Sequence, residues 1–156
     1  MTFCVIDTPL GPLCIREEAG AICAIDFTAG GLCPPSTPLL EEASRQLTAY
    51  FDGTLQTFDL PLHMAGTDFQ RRCWQALQTI PYGETISSGE QARRIGNSKA
   101  VRAVGGANHR NPISIVVPCH RVIGANGTLT GYGGGMDKKA WLLEHEKLHA
   151  KRDCSH

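Results

Sequence analysis

At 156 residues with 42% hydrophobic side chains, the chain can bury a real core, as one domain or as two small ones. No apolar stretch reaches the length of a membrane span, and no basic segment followed by a hydrophobic one opens the chain, so the expectation is a cytoplasmic protein without membrane contact. Net charge is zero, yet residues 1–66 carry two arginines against eight carboxylates and residues 67–121 carry eight basic residues against three acidic ones, the asymmetry of a chain in which one half meets phosphates.

Seven cysteines are an odd number, and no C-x-x-C pair occurs. That argues against a disulfide framework and a ribbon-type zinc site, and for a reducing compartment. Residues 3–7, 12–16 and 21–27 read as three strands of a meander, joined by Pro9-Leu10-Gly11 and by residues 17–20. Cys4, Cys14 and Cys23 fall in these strands and read as small buried residues, so no metal site is assigned. After a Gly- and Pro-rich loop over 30–38, Thr37 is a helix N-cap with Pro38 at the first position. Leu39, Leu40, Ala43, Leu47 and Phe51 then recur at helical spacing until Asp52-Gly53. Residues 1–62 thus read as a small α/β scaffold domain that lacks a catalytic arrangement.

Residues 61–66 read as a linker, and Thr67 caps a helix to about residue 79, with Phe69, Cys73, Trp74, Leu77 and Ile80 on its buried side. A helix over 88–95, the break Gly96-Asn97, and a second helix capped by Ser98 and running to about Gly106 form a helix-turn-helix candidate. From composition alone Arg102 is a solvated surface charge and the glycines end the helix. The alternative is a helix whose small residues, Ala100, Ala103 and Gly105, approach a narrow groove while Arg102 reaches the base stack.

The run Ile113 to Val122, Ile-Ser-Ile-Val-Val-Pro-Cys-His-Arg-Val, reads as a short buried strand that Pro118 ends, since proline lacks a backbone donor. Cys119 then stands at the end of a rigid segment beside His120. A thiol next to an imidazole is half of the equipment for nucleophilic catalysis, although a Cys-His dipeptide by itself is more often structural than catalytic. Residues 122–123 and 129–132 flank Gly124-Ala125-Asn126-Gly127 as a hairpin candidate, and the glycine-rich 131–135 segment reads as a loop framing a pocket. Asp137 starts a helix carrying Trp141, Leu142, His145 and Glu146, and the residues from His149 on are expected to fray.

Pro118-Cys119-His120-Arg121 in its apolar run, followed by Val122-Ile123-Gly124 and Gly131-Tyr132, closely resembles the active-site signature of the O6-alkylguanine-DNA alkyltransferases, DNA repair proteins that take an alkyl group onto their own cysteine. The similarity spans about residues 67–146 and is weaker around Thr8-Pro9-Leu10-Gly11. The fold implied is α/β: a small mixed N-terminal domain followed by a mostly helical DNA-binding and alkyltransferase domain over 67–148, with the helix-turn-helix and the active-site strand and turn. The resemblance implies that the helix with Ala100, Ala103 and Gly105 enters the minor groove of duplex DNA, that Arg102 fills the space of a flipped nucleotide, and that Cys119 displaces guanine from its alkyl group. It implies further that His120 takes the thiol proton, through a water. Glu146 would orient His120, Asn111 would tie the recognition helix to the active-site turn, groups near Val122 would hold the base, and Tyr132, Gly133 and Gly134 would wall the alkyl pocket. Relatives that bind zinc do so with a spacing absent here, and the reading includes no cofactor and a monomer. Because a thioether has no easy hydrolytic route back, the protein would act once.

One departure stands out. The family usually has tyrosine where this chain has Ser88, whose much shorter hydroxyl implies weaker flipping or slower transfer. Three rival readings are a lesion-binding protein without transfer, against which Cys119 speaks; a helix-turn-helix regulator, for whose extra domains there is no room; and a hydrolase using Cys119 and His120.

Overall fold

A computed structural model describes residues 2–124 and 135–154, with side chains to residue 150. The chain divides into two compact units, Met1–Ala65 with Pro112–Ser114, and Gly66–Asn111 with Ile115–His156.

The first unit is an antiparallel meander of β1 (Thr2–Ile6), β2 (Leu13–Glu18) and β3 (Ala21–Phe27), in the order β1-β2-β3. Cys4 pairs with Ile15 and Ile15 with Ile25, so these three side chains share one face. That face is covered by α1 (Pro38–Asp52), and Cys4, Leu13, Ile15, Ile22, Ile25, Leu40, Ala43, Leu47 and Tyr50 are fully buried. Each large aliphatic side chain in this layer contributes about 1.5–3 kcal/mol through burial. α1 has the caps its sequence specifies: Thr37 Oγ1 accepts from Leu40 N–H at 3.1 Å, and Gly53 closes the helix at φ +85°. The strands lie within two residues of the expected ends.

In the second unit, Thr67 and Gln70 form a reciprocal capping box that starts α2 (Asp68–Leu77). Cys73, Trp74, Leu77 and Ile80 are buried as the helical spacing predicts, while Phe69 is only half-buried. α3 (Ser88–Arg94) and α4 (Val101–His109) make the helix-turn-helix, with Gly96 at φ +81° in the turn. Two buried polar links set their packing. Trp74 Nε1 donates to the Ala107 carbonyl at 2.8 Å, and the Gln91 amide donates both to the Cys73 carbonyl at 3.1 Å and to Asn108 Oδ1 at 2.9 Å.

α4 departs from the expectation at both ends. Ser98 is not its cap: the Ala100 N–H turns back to the Asn97 carbonyl at 3.0 Å, and the helix begins at Val101 without a side-chain cap. It also runs through Gly105 and Gly106 to His109, because packing of Val104 and Ala107 and the Trp74 bond override the poor helix propensity of glycine.

The expected strand over 113–117 is not formed. Ile113 makes one bridge to Ile25, the Ser114 N–H bonds to the Ile25 carbonyl at 3.0 Å, and Ile115 then sits at φ +73°, a conformation a β-branched residue rarely adopts. Alternate burial remains, with Ile113, Ile115 and Val117 buried and Ser114 and Val116 half-buried, so the strand-like pattern records burial and not a ladder. Val122–Ile123, β5, pairs in parallel with β4 (Ile86–Ser87), a segment not expected to be a strand. The other arm of the expected hairpin, 129–132, lies outside the described residues. The last helix, α5 (Met136–Cys154), continues as helix beyond His149, where the sequence suggests fraying. Gly83, at φ +82°, lies so close to Ala150 that an added Cβ would come within 2.5 Å of its methyl, so the turn after α2 backs this last stretch.

Candidate active site

Asn111, at the end of the helix-turn-helix, donates from Nδ2 to the Val117 carbonyl at 2.8 Å and pins the turn after Ile115. The Cys119 N–H bonds to Val117 O at 2.9 Å and the Arg121 N–H to Pro118 O at 3.0 Å, which winds Cys119–Arg121 into one tight 3-10 turn. Such a turn presents consecutive side chains in different directions. Cys119, 8% exposed, lines a cavity of about 280 Å³ together with Ser88, Gly105, Asn108, His109, Val122 and Lys139. A residue at the start of α3 and three from α4 thus surround the same space as the thiol.

His120 and Arg121 are buried and meet Glu146 from α5. His120 Nε2 lies 2.6 Å from Glu146 Oε2, while Arg121 Nε and Nη2 donate to Oε1 at 2.7 Å and Oε2 at 3.1 Å. Burial opposes ionisation of Glu146, but the charges and hydrogen bonds of His120 and Arg121 outweigh it and hold the carboxyl below the usual range. His120 Nδ1 is buried with no hydrogen-bond partner among the described residues.

Burial pushes the Cys119 thiol up, opposed by a hydrogen bond from Asn111, the charge of Lys139 and a backbone hydrogen bond. Lys139 is itself almost wholly buried; its Nζ donates to the Val122 carbonyl at 2.6 Å, and desolvation pulls its pKa down while Cys119 acts against that. Sequence reasoning missed Lys139. The signal was present, since 139, 142 and 146 share one helical side, but a lysine at the start of a helix with Lys138 beside it reads as solvated.

Among the residues expected at the site, Cys119, Ser88, Gly105 and Val122 line one cavity, Asn111 bonds the turn and the thiol, and Glu146 meets His120. Arg102 and Ala103 lie exposed on α4 and Ala100 is half-buried just before it. Tyr132, Gly133 and Gly134 lie outside the described residues.

A helix-turn-helix whose second helix borders the cavity of a cysteine, backed by a buried His-Glu-Arg cluster, defines a DNA-binding protein with cysteine chemistry. The family model for the DNA binding domain of 6-O-methylguanine DNA methyltransferase matches residues 68–148, and that for its ribonuclease-like domain matches residues 1–64. The chain belongs to this O6-methylguanine DNA methyltransferase family, the one its Pro118–Arg121 signature resembles. A methylated-DNA–protein-cysteine methyltransferase of Methanosarcina acetivorans is 49% identical over 94% of this chain and 98% of its own length. One from Mycobacterium tuberculosis is 50% identical over 96% of this chain and 94% of its own. The crystal structure of Mycobacterium tuberculosis OGT in complex with DNA superposes with a TM-score of 0.87 at 49% identity, covering 94% of this chain and 93% of that one.

Proposed function

We propose that this protein repairs O6-alkylguanine in duplex DNA by accepting the alkyl group on Cys119, once per chain. The observation that carries the reading is the shared cavity, where Cys119 faces Ser88 and the α4 residues Gly105 and His109 while its neighbour His120 is anchored on Glu146. The relatives supply the reaction class, and these side chains fit each of its requirements.

The guanine O6 is out of reach inside a duplex, so the nucleotide is flipped at a cost of a few kcal/mol. α4, with Ala100, Ala103 and Gly105, enters the minor groove, and Arg102 takes the vacated place in the stack, which offsets that cost. In the cavity the thiol proton passes through a water to His120, whose imidazolium is stabilised by Glu146. The thiolate attacks the alkyl carbon, the carbon–O6 bond breaks, and the guanine takes a proton at N1. Asn111 holds the turn that aims the sulfur, Val122 lies beside the base, and Tyr132, Gly133 and Gly134 close the alkyl side. Ser88 gives the flipped base a smaller contact than tyrosine would. On this reading residues 1–62 are a scaffold domain, residues 67–148 carry the chemistry, no cofactor takes part, and the protein works as a cytoplasmic monomer.

The test is intact-protein mass after incubation with duplex DNA containing O6-methylguanine. One methyl adduct per chain on the parent, absent from Cys119→Ala, is the expected result. Lesion-selective binding without an adduct would make this a damage-recognition protein, and turnover of esters or amides would make it a hydrolase.

A further inference from the structure

Arg121 belongs to the signature that carries the family resemblance, and the chemistry above gives it no task. It is 7% exposed, and its guanidinium is fully engaged: Nε and Nη2 clasp the two oxygens of Glu146, and Nη1 donates to the Ile80 carbonyl at 2.7 Å in the turn after α2. The Tyr82 ring lies over the guanidinium at 5.6 Å from its carbon. A bidentate fork fixes a carboxylate in plane and direction, which a point charge does not. Oε2 of Glu146 is shared, since it accepts from Arg121 and also faces His120 at 2.6 Å. The arginine therefore determines where the carboxylate points and how much of its charge remains for the imidazole.

We propose that Arg121 is a positioning residue that, through Glu146, sets the pH at which His120 becomes free to accept the Cys119 proton. This rests on the methyl-acceptor reading. A carboxylate without its guanidinium would hold the imidazolium more strongly, and His120 would remain protonated, unable to act as a base, to higher pH. The other charged or titratable groups around the cluster are few among the described residues: Tyr82 on the guanidinium, Lys139 toward Cys119 and Val122, and Glu144 and Lys147, which line with Glu146 a second cavity that Gly83 and Thr85 also border. Neither Glu144 nor Lys147 contributes to holding the Glu146 carboxyl down, whereas Arg121 and His120 do.

The experiment measures the single-turnover rate of Cys119 methylation by O6-methylguanine duplex, by intact mass, from acid to alkaline pH, on variants first checked for folding by circular dichroism. Arg121→Gln moves the acid limb of the profile up by roughly one pH unit or more. Arg121→Lys keeps the charge but loses the fork, so the limb stays and the rate falls by roughly ten- to a hundredfold. Adding Arg121→Gln to Glu146→Gln leaves the limb where Glu146→Gln alone puts it, because the arginine acts through that carboxylate. A further shift in this last pair would overturn the proposal even where Arg121→Gln alone is too unstable to measure, and the rate loss of Arg121→Lys then carries its support. Superimposable limbs in the parent and Arg121→Gln, or a further shift when the two changes are combined, would overturn the proposal. A parent protein that takes no methyl at any pH would instead remove the acceptor reading beneath it.

Discussion

At the scale of single residues, the site is a contest between burial and charge. A cysteine that is 8% exposed is a poor nucleophile unless something offsets desolvation, and Asn111 and Lys139 do so here. Lys139→Met keeps the bulk of the buried stem and removes the charge. The thiol pKa then rises, the thiolate fraction at neutral pH falls, and methyl transfer slows by about tenfold for each unit of rise. The deficit shrinks as pH is raised toward the new thiol pKa. A rate-against-pH profile for the parent and Lys139→Met checks this, and a deficit that is the same at every pH would assign Lys139 to packing alone. Cys119, His120 and the signature arginine were legible because they are contiguous in the sequence. Glu146 was legible only through the family resemblance, and Lys139, eighteen residues beyond Arg121, only through the fold, which brings both to the same turn.

The element scale explains which parts of the sequence could be read. Local chemistry sufficed where one residue both starts and caps an element, as for Thr37 with Pro38 and for Thr67 with Gln70. It failed where tertiary bonds choose the conformation. The 113–117 run alternates like a strand, yet its backbone partners are Ile25 and the Asn111 amide, and it turns at Ile115. α4 likewise runs through two glycines that locally read as a stop, held by Trp74 and Gln91. Gly105 and Gly106 both have open space where a Cβ would stand, so alanine at either should stabilise the free protein by about 0.5–1 kcal/mol. Gly105 borders the Cys119 cavity and Gly106 does not. Urea midpoints should rise for both variants, while methyl transfer from duplex DNA should slow for Gly105→Ala alone. Equal slowing would mean that the glycines serve the flexibility of the helix and not its close approach to the nucleotide.

Across the whole molecule, net charge of zero conceals a basic 67–121 segment, and the structure sorts its cations further. Arg71 is paired with Asp68, and Arg93 and Arg94 share Glu90. Arg121 is buried on Glu146. Lys99, Arg102 and Arg110 are exposed and have no ion pair among the described residues, and all three stand on α4 or just beyond its ends. Arg72, on α2, is also exposed and outside any ion pair among the described residues, with its guanidinium on the Ile95 carbonyl, so three of the four cations without an ion pair cluster at α4, although composition spreads them over the entire segment. Each of these cations that neutralises a phosphate releases counterions, so Lys99→Ala or Arg110→Ala should lower the slope of log affinity against log salt by about one, whatever the DNA sequence. Arg93→Ala should lower the slope less, because Arg93 and Arg94 are both held on Glu90. Fluorescence anisotropy with duplex DNA at several salt concentrations separates the two cases. Equal losses of slope for Arg93→Ala and Lys99→Ala would place the phosphate path across α3 as well as α4.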